Sequence, residues 1–171
     1  MDTLTALMTR RSVRQFTDEP VTAEQLETLL RAAMAAPSAG NQQPWRFVVA
    51  RDEETRAKLA VATQYAGPVG RAPVGIVVLA DTHGNKHPGY WVQDCSAAVE
   101  NLLVAAHAIG LGGVWIGVHP NEEREAVVRE IVEAPEGFAA LCMIAIGHPA
   151  APGPEVDRFH AEWVRDERWG A

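Results

Sequence analysis

Apolar positions recur three and four residues apart in some stretches of this chain and crowd into short runs in others. Leu4, Leu7 and Met8 share one face of a first helix that Thr3 can cap. Leu26, Leu29, Leu30, Ala33 and Met34 fall at i, i+3, i+4, i+7 and i+8, the stripe of a helix facing a core. Thr22 opens that helix with Gln25 three residues on, a capping-box pattern, and Pro37 ends it. Residues 45–50 read as a strand through Phe47 and Val49. Asp52 then starts a helical stretch from Glu53 to about Gln64, carried by Ala57, Leu59, Ala60 and Val61. Residues 73–80 are almost continuously apolar, as suits a central strand covered on both faces. The longest helix spans about 90–109 and is apolar round much of its circumference, with Asp94, Glu100 and Asn101 as exceptions. Such a helix is buried, often between subunits. Gly110 is its natural C-cap and Leu111 the hydrophobic residue after it. A short strand at 113–117 follows, then a helix from Asn121 through Ile131 with Glu122 and Glu123 where the helix dipole prefers them. Residues 138–146 form the last strong strand, closed by Gly147, His148 and Pro149. Helices and strands alternate, so the domain mixes α and β.

The 171 residues suffice for one domain, 1–171, whose last part, 150–171, reads as an extended C-terminal arm. Pro152, Gly153 and Pro154 forbid regular structure there, yet Phe159, Trp163 and Trp169 are not the residues of a disordered tail. The arm is expected to pack on a surface, its own or a partner's. Fifteen Lys and Arg against 22 Asp and Glu give a net charge of −7, which argues against nucleic acid and anionic membranes as partners. No apolar run has the length of a membrane span, and no basic flank with an apolar block opens the sequence. Cys95 and Cys142 lie far apart with no CxxC pair, which fits a reducing cytoplasm.

Several common chemistries leave no trace. There is no GxSxG elbow, HExxH helix, P-loop or GxGxxG fingerprint. His83 and His87 have metal-ligand spacing, but Gly84 and Pro88 disfavour the helix it needs and no third ligand is evident, so no metal is expected. Both cysteines read as small core hydrophobes, and the five tryptophans as packing residues. Two stretches remain. Arg10, Arg11 and Arg14 can present guanidinium forks to phosphate oxygens, with the Ser12 hydroxyl among them. Their ordinary reading is a solvated charge run, or ion pairs with Asp18 and Glu19; yet Ser12 and Val13 interrupt the run and Phe16 follows it. Arg158 is an isolated later cation. The second stretch runs from Pro37 through Ser38, Ala39, Gly40, Asn41, Gln42, Gln43 and Pro44 to Trp45. Alone it is an ordinary turn composition; beside the arginines, its small and carboxamide side chains suit close approach of a flat ligand. A phosphate site, an amide loop and a glycine-flanked Trp115-Ile116 strand together describe a phosphorylated planar cofactor.

Arg10 to Arg14, Pro37 to Trp45, Gly110 to Gly117, and Ile146 to Pro149 with the later Arg158 follow one another in the order of a known family. The chain resembles a short member of the FMN-dependent nitroreductase family over nearly its whole length. The resemblance implies an α+β fold with a mixed sheet flanked by helices, in an intertwined homodimer with a swapped C-terminal arm. It implies that Arg10, Arg11, Ser12, Arg14 and Arg158 hold the FMN phosphate and ribityl chain. Pro37, Ser38, Ala39 and Asn41 of the other subunit would line the opposite side of the flavin. Trp115, Ile116 and Gly117 would lie near the ring, with backbone N–H groups available to its N5–O4 edge. The implied activity is ping-pong hydride transfer from NAD(P)H through flavin N5 to a nitroaromatic, quinone or similar small acceptor, with no side-chain catalyst. A flavin-binding sensor or carrier, and an enzyme that consumes flavin, are the other functions open to this fold. Many larger relatives carry an Asn and a Lys before the third strand against the pyrimidine edge, and Gln64 to Gly70 offers no clear equivalent.

Overall fold

The computed structural model describes residues 1–153 and 156–170, so Pro154 of the arm lies outside the described residues. Its regular elements are α1 (Thr3–Thr9), α2 (Ala23–Met34), β1 (Trp45–Ala50), α3 (Glu53–Val61), α4 (Gly67–Arg71), β2 (Val74–Asp81), α5 (Trp91–Ala108), β3 (Gly112–Gly117), α6 (Glu122–Ile131) and β4 (Phe138–Gly147). Helix starts follow local chemistry. Thr22 Oγ1 accepts from the Gln25 N–H while Gln25 Oε1 accepts from the Thr22 N–H, the full capping box. Asp52 and Asn121 accept from the N–H groups of Thr55 and Arg124 in the same way. At α1 the cap is Asp2, not Thr3; its side chain accepts from the Thr5 N–H. The end of α5 is a Schellman motif. Gly110 sits at φ +85°, the Leu111 N–H donates to the Ala106 carbonyl at 2.8 Å, and the Gly110 N–H donates to His107 at 3.1 Å.

The strands form one sheet in the order β1-β2-β4-β3, with every neighbouring pair antiparallel. The expected mixed sheet is therefore replaced, among the described residues, by an antiparallel one; the parallel pairing is confined to an isolated bridge between Ser12 and Gly113. Alternation along β2 divides the core. Ile76 and Val78 pack with Leu29 of α2 and Leu102 of α5 on one face, whereas Val77 and Leu79 pack with Leu59, Val69 and Val128 of α3, α4 and α6 on the other. Both faces are covered, which is why the two inner strands are apolar, β4 throughout and β2 up to its last residue, Asp81. Burial pushes the Cys95 thiol up to about 12, and raises Cys142 well above its usual value, so both are small core groups.

Three findings concern what the apolar residues face, and one of them, Met34, departs from the sequence reading. In α1 only Ala6 is buried; Leu4 and Met8 are 73% and 74% exposed. The stripe on α2 is buried through Leu26, Leu29 and Ala33, while Met34 stands out. In the arm, Phe159, Trp163 and Trp169 are all exposed, so its own chain does not cover them. No described helix is long and apolar enough to cross a membrane.

Candidate functional site

The sheet ends at β3, and residues 12–17 run beside its free edge and the exit from β4. Val13 donates its N–H to the Gly113 carbonyl at 2.9 Å, Thr17 donates to His148 at 2.9 Å, and Ala150 donates to Gln15 at 3.1 Å. Contact this close depends on Gly112, where a Cβ would stand 2.6 Å from Val13 Cγ2 and 3.1 Å from Pro149 Cγ. The segment carries its polar side chains into two cavities. One, of about 580 Å³, is lined by Arg11, Ser12, Arg14 and Arg158 together with Gly153 and Val156. The other, of about 510 Å³, is lined by Arg14, Gln64, Tyr65, Arg71 and the run Trp115, Ile116 and Gly117. Arg14 borders both, so the two cavities adjoin along the sheet edge and are treated together as the arginine groove.

The expected cations divide. Arg11, Ser12, Arg14 and Arg158 converge on the first cavity. Arg10 lines neither, and its Nε donates instead to Glu100 of α5 at 3.1 Å. Arg11 is held in place by the Met8, Arg10 and Val156 carbonyls, which ties the arm to the start of the chain. Arg14, Arg71 and Arg158 have no carboxylate partner among the described residues. Unpaired guanidinium groups beside a hydroxyl suit a phosphate dianion at one end of the groove. At the other end, a Cβ added to Gly117 would meet nothing within 4 Å, leaving room for a flat ring against the strand. Gln64 and Arg71 can hydrogen-bond the polar rim of such a ring. Neither is marked in the sequence: α4, which carries Arg71, begins Gly67-Pro68 and reads as a turn.

The loop at 37–45 stands elsewhere. Its anchor is Asp94 of α5, only 5% exposed, whose Oδ1 accepts from the Ala39 N–H at 2.9 Å and Oδ2 from Gln42 Nε2 at 2.7 Å. Ser38 Oγ accepts from the Gln43 N–H at 3.0 Å, and Gln42 exchanges hydrogen bonds with the backbone of His87. Gly40, Asn41 and Gln43 all have positive φ, so the loop is a fixed, tightly folded shape. Gly40, Asn41 and Gln42 border a separate cavity of about 250 Å³ that shares no residue with the arginine groove. A single chain thus presents the two expected halves of the site without joining them. In the sequence Asp94 shows only as an acid in an apolar helix, and that anomaly is its signal.

A model of the nitroreductase family matches residues 7–68 and 61–148, which takes in the arginine segment, the loop and β3. The chain belongs to the nitroreductase family. A protein of Archaeoglobus fulgidus provisionally named an NADH dehydrogenase/NAD(P)H nitroreductase is 42% identical over 170 residues, covering 97% of this chain and 98% of its own. A provisionally assigned nitroreductase of Desulfovibrio desulfuricans, solved in complex with FMN, is 36% identical with a TM-score of 0.84, over 99% of this chain and 98% of that one. The NADPH:FMN oxidoreductase of Vibrio harveyi, solved with NAD+, is 29% identical with a TM-score of 0.86, over 99% of this chain and 78% of that one. This nitroreductase-family chain shares with them the α+β fold and its small antiparallel sheet.

Proposed function

We propose that the protein is an FMN-dependent oxidoreductase that takes a hydride from NAD(P)H and passes it to a small nitroaromatic, quinone or similar acceptor, working as a cytoplasmic homodimer. The observation that carries this reading is the pair of adjoining cavities in which Arg14 stands between a cationic phosphate-sized end and the open, glycine-edged strand Trp115–Gly117. FMN in the Desulfovibrio relative and NAD+ in the Vibrio relative support it. When bound, FMN supplies the hydride chemistry between the two substrates.

The chain's part is to bind and to tune. Arg11, Ser12, Arg14 and Arg158 take the phosphate, and Arg10 steadies this corner through Glu100 of α5. Trp115 and Ile116 form the wall on which the ring lies, while Gly117 leaves its edge accessible. Arg71 and Gln64 face the pyrimidine edge and favour negative charge there, taking the place of the Asn and Lys of larger relatives. Pro37, Ser38, Ala39 and Asn41 come from the second subunit and close the opposite side, because one chain keeps loop and groove apart. The uncovered faces of α1 and the aromatic arm supply apolar surface for that dimer.

Purified protein is expected to be yellow, dimeric by light scattering, and able to oxidise NAD(P)H when a quinone is added. A monomer without flavin bands after FMN addition would sink the proposal; flavin without turnover would leave a carrier. Arg14→Ala is expected to raise the FMN dissociation constant about thirtyfold, the loss of a charge-assisted contact of about 2 kcal/mol, as read by fluorescence titration.

A further inference from the structure

Tyr65 lines the same cavity as Gly117 and is 63% exposed. The Arg124 guanidinium carbon lies 5.8 Å from the centre of its ring. Arg124 is the third residue of α6, in the first turn, where the helix dipole disfavours a cation. Its side chain makes no ion pair among the described residues, although Glu122 and Glu123 precede it directly. The next acid, Glu125, is engaged with His119 Nδ1 at 2.7 Å. In a chain of net charge −7, an arginine held on an aromatic ring instead of on a neighbouring carboxylate keeps its charge available. The FMN phosphate does not account for it, since Arg124 is absent from the cavity that Arg11, Ser12, Arg14 and Arg158 line; it stands behind Tyr65, just outside the second cavity.

We propose that Tyr65 and Arg124 form the recognition site for an anionic aromatic substrate, the ring resting at Tyr65 and the anionic group meeting the Arg124 fork. The site rests on the oxidoreductase reading for its place in the reaction. Stacking on a tyrosine is tolerant of ring type, whereas a planar guanidinium discriminates for phosphate or carboxylate, so Arg124 sets the preference and Tyr65 the general affinity. The anion has two chemical sources: the 2′-phosphate of NADPH, or a carboxylate on the acceptor. They share the site and are separated by the choice of ligand.

Calorimetric titration of the purified protein with two matched pairs, NADP+ against NAD+ and 4-nitrobenzoate against 4-nitrobenzamide, distinguishes them without requiring turnover. The anionic member of one pair is expected to bind about tenfold more tightly than its partner. Arg124→Gln should abolish that ratio, Arg124→Lys restore part of it, and Tyr65→Leu weaken both members of the pair together. Flavin absorbance should be the same in both Arg124 variants as in the wild type. Equal ratios in wild type and Arg124→Gln for both pairs would overturn the proposal, as would loss of FMN from Arg124→Gln. Discrimination by a protein that never oxidises NAD(P)H would instead refute the oxidoreductase reading and leave the recognition site intact.

Discussion

Asp94→Ala is expected to lower the unfolding free energy by about 3 kcal/mol, to drop the melting temperature by about 10 °C, and to free the loop at 37–43 from α5. The carboxylate is nearly fully buried and holds two donors, the Ala39 N–H and the Gln42 amide. Hydrogen bonds to a charged acceptor are worth more than neutral ones, and removing the acceptor leaves the Ala39 donor without its partner. Relief from burying a charge offsets part of the cost, so the expected loss is below the sum of the two bonds. Asp94→Asn separates charge from geometry. Its one oxygen can accept from Ala39, but its amide then faces the Gln42 amide, whose own oxygen already accepts from the His87 N–H. Asn should therefore cost roughly half as much as Ala, in line with one retained bond. The readouts are denaturant midpoints and hydrogen exchange at the Ala39 amide. If exchange at Ala39 is unchanged in Asp94→Ala, the carboxylate is not the anchor. FMN affinity supplies a further check: because the proposed site takes this loop from the partner subunit, freeing it should weaken FMN even though Asp94 lines none of the cavities described above.

Such an anchor shows where the sequence was legible and where it was not. Caps and stops are local, and they were readable: the Thr22–Gln25 box, Asp52, Asn121 and Gly110 all act within a few residues of themselves. The buried run at 73–80 announced β2 for the same reason, since a strand covered on both faces has no polar side to show. Asp94 works across 55 residues to Ala39, and no local pattern marks it as more than an oddity. Helix α4 was missed because Gly67, Pro68 and Gly70 favour a turn; it is held by packing, with Val69 fully buried and Arg56 donating to the Gly70 and Ala72 carbonyls. Periodicity found the apolar face of α1 correctly but not its direction. A 3.6-residue repeat reports that one side is apolar, not whether its own core or another surface receives it. Within the arginine run, the residues that reach the groove depend on where Glu100 lies, ninety positions away, so Arg10 and Arg11 were indistinguishable beforehand.

The groove itself depends on a glycine, and Gly112→Ala is expected to cost about 3 kcal/mol together with most of the FMN affinity. A Cβ at this position would lie 2.8 Å from Val13 Cβ as well as 2.6 Å from Val13 Cγ2, and 3.1 Å from Pro149 Cγ. None of these atoms is the end of a flexible side chain: valine is branched at Cβ, and proline is a ring. Relief must come from the backbone, by moving residues 12–14 away from β3. That movement breaks the Val13 N–H bond to Gly113 and carries Ser12 and Arg14 out of register with Trp115–Gly117. Gly110→Ala is the control, because its strain is purely conformational at φ +85° with nothing within 4 Å of the added carbon. It should cost about 1 kcal/mol and leave FMN binding alone. The decisive comparison is a double-mutant cycle with Val13→Ala. Removing the valine methyl groups relieves the 2.6 Å approach but not the 2.8 Å one, so the pair should recover part of the stability and affinity, with a coupling of about 1 kcal/mol. Strict additivity would mean that Val13 and Gly112 do not set the position of the arginine segment, and that the groove is held open by some other contact.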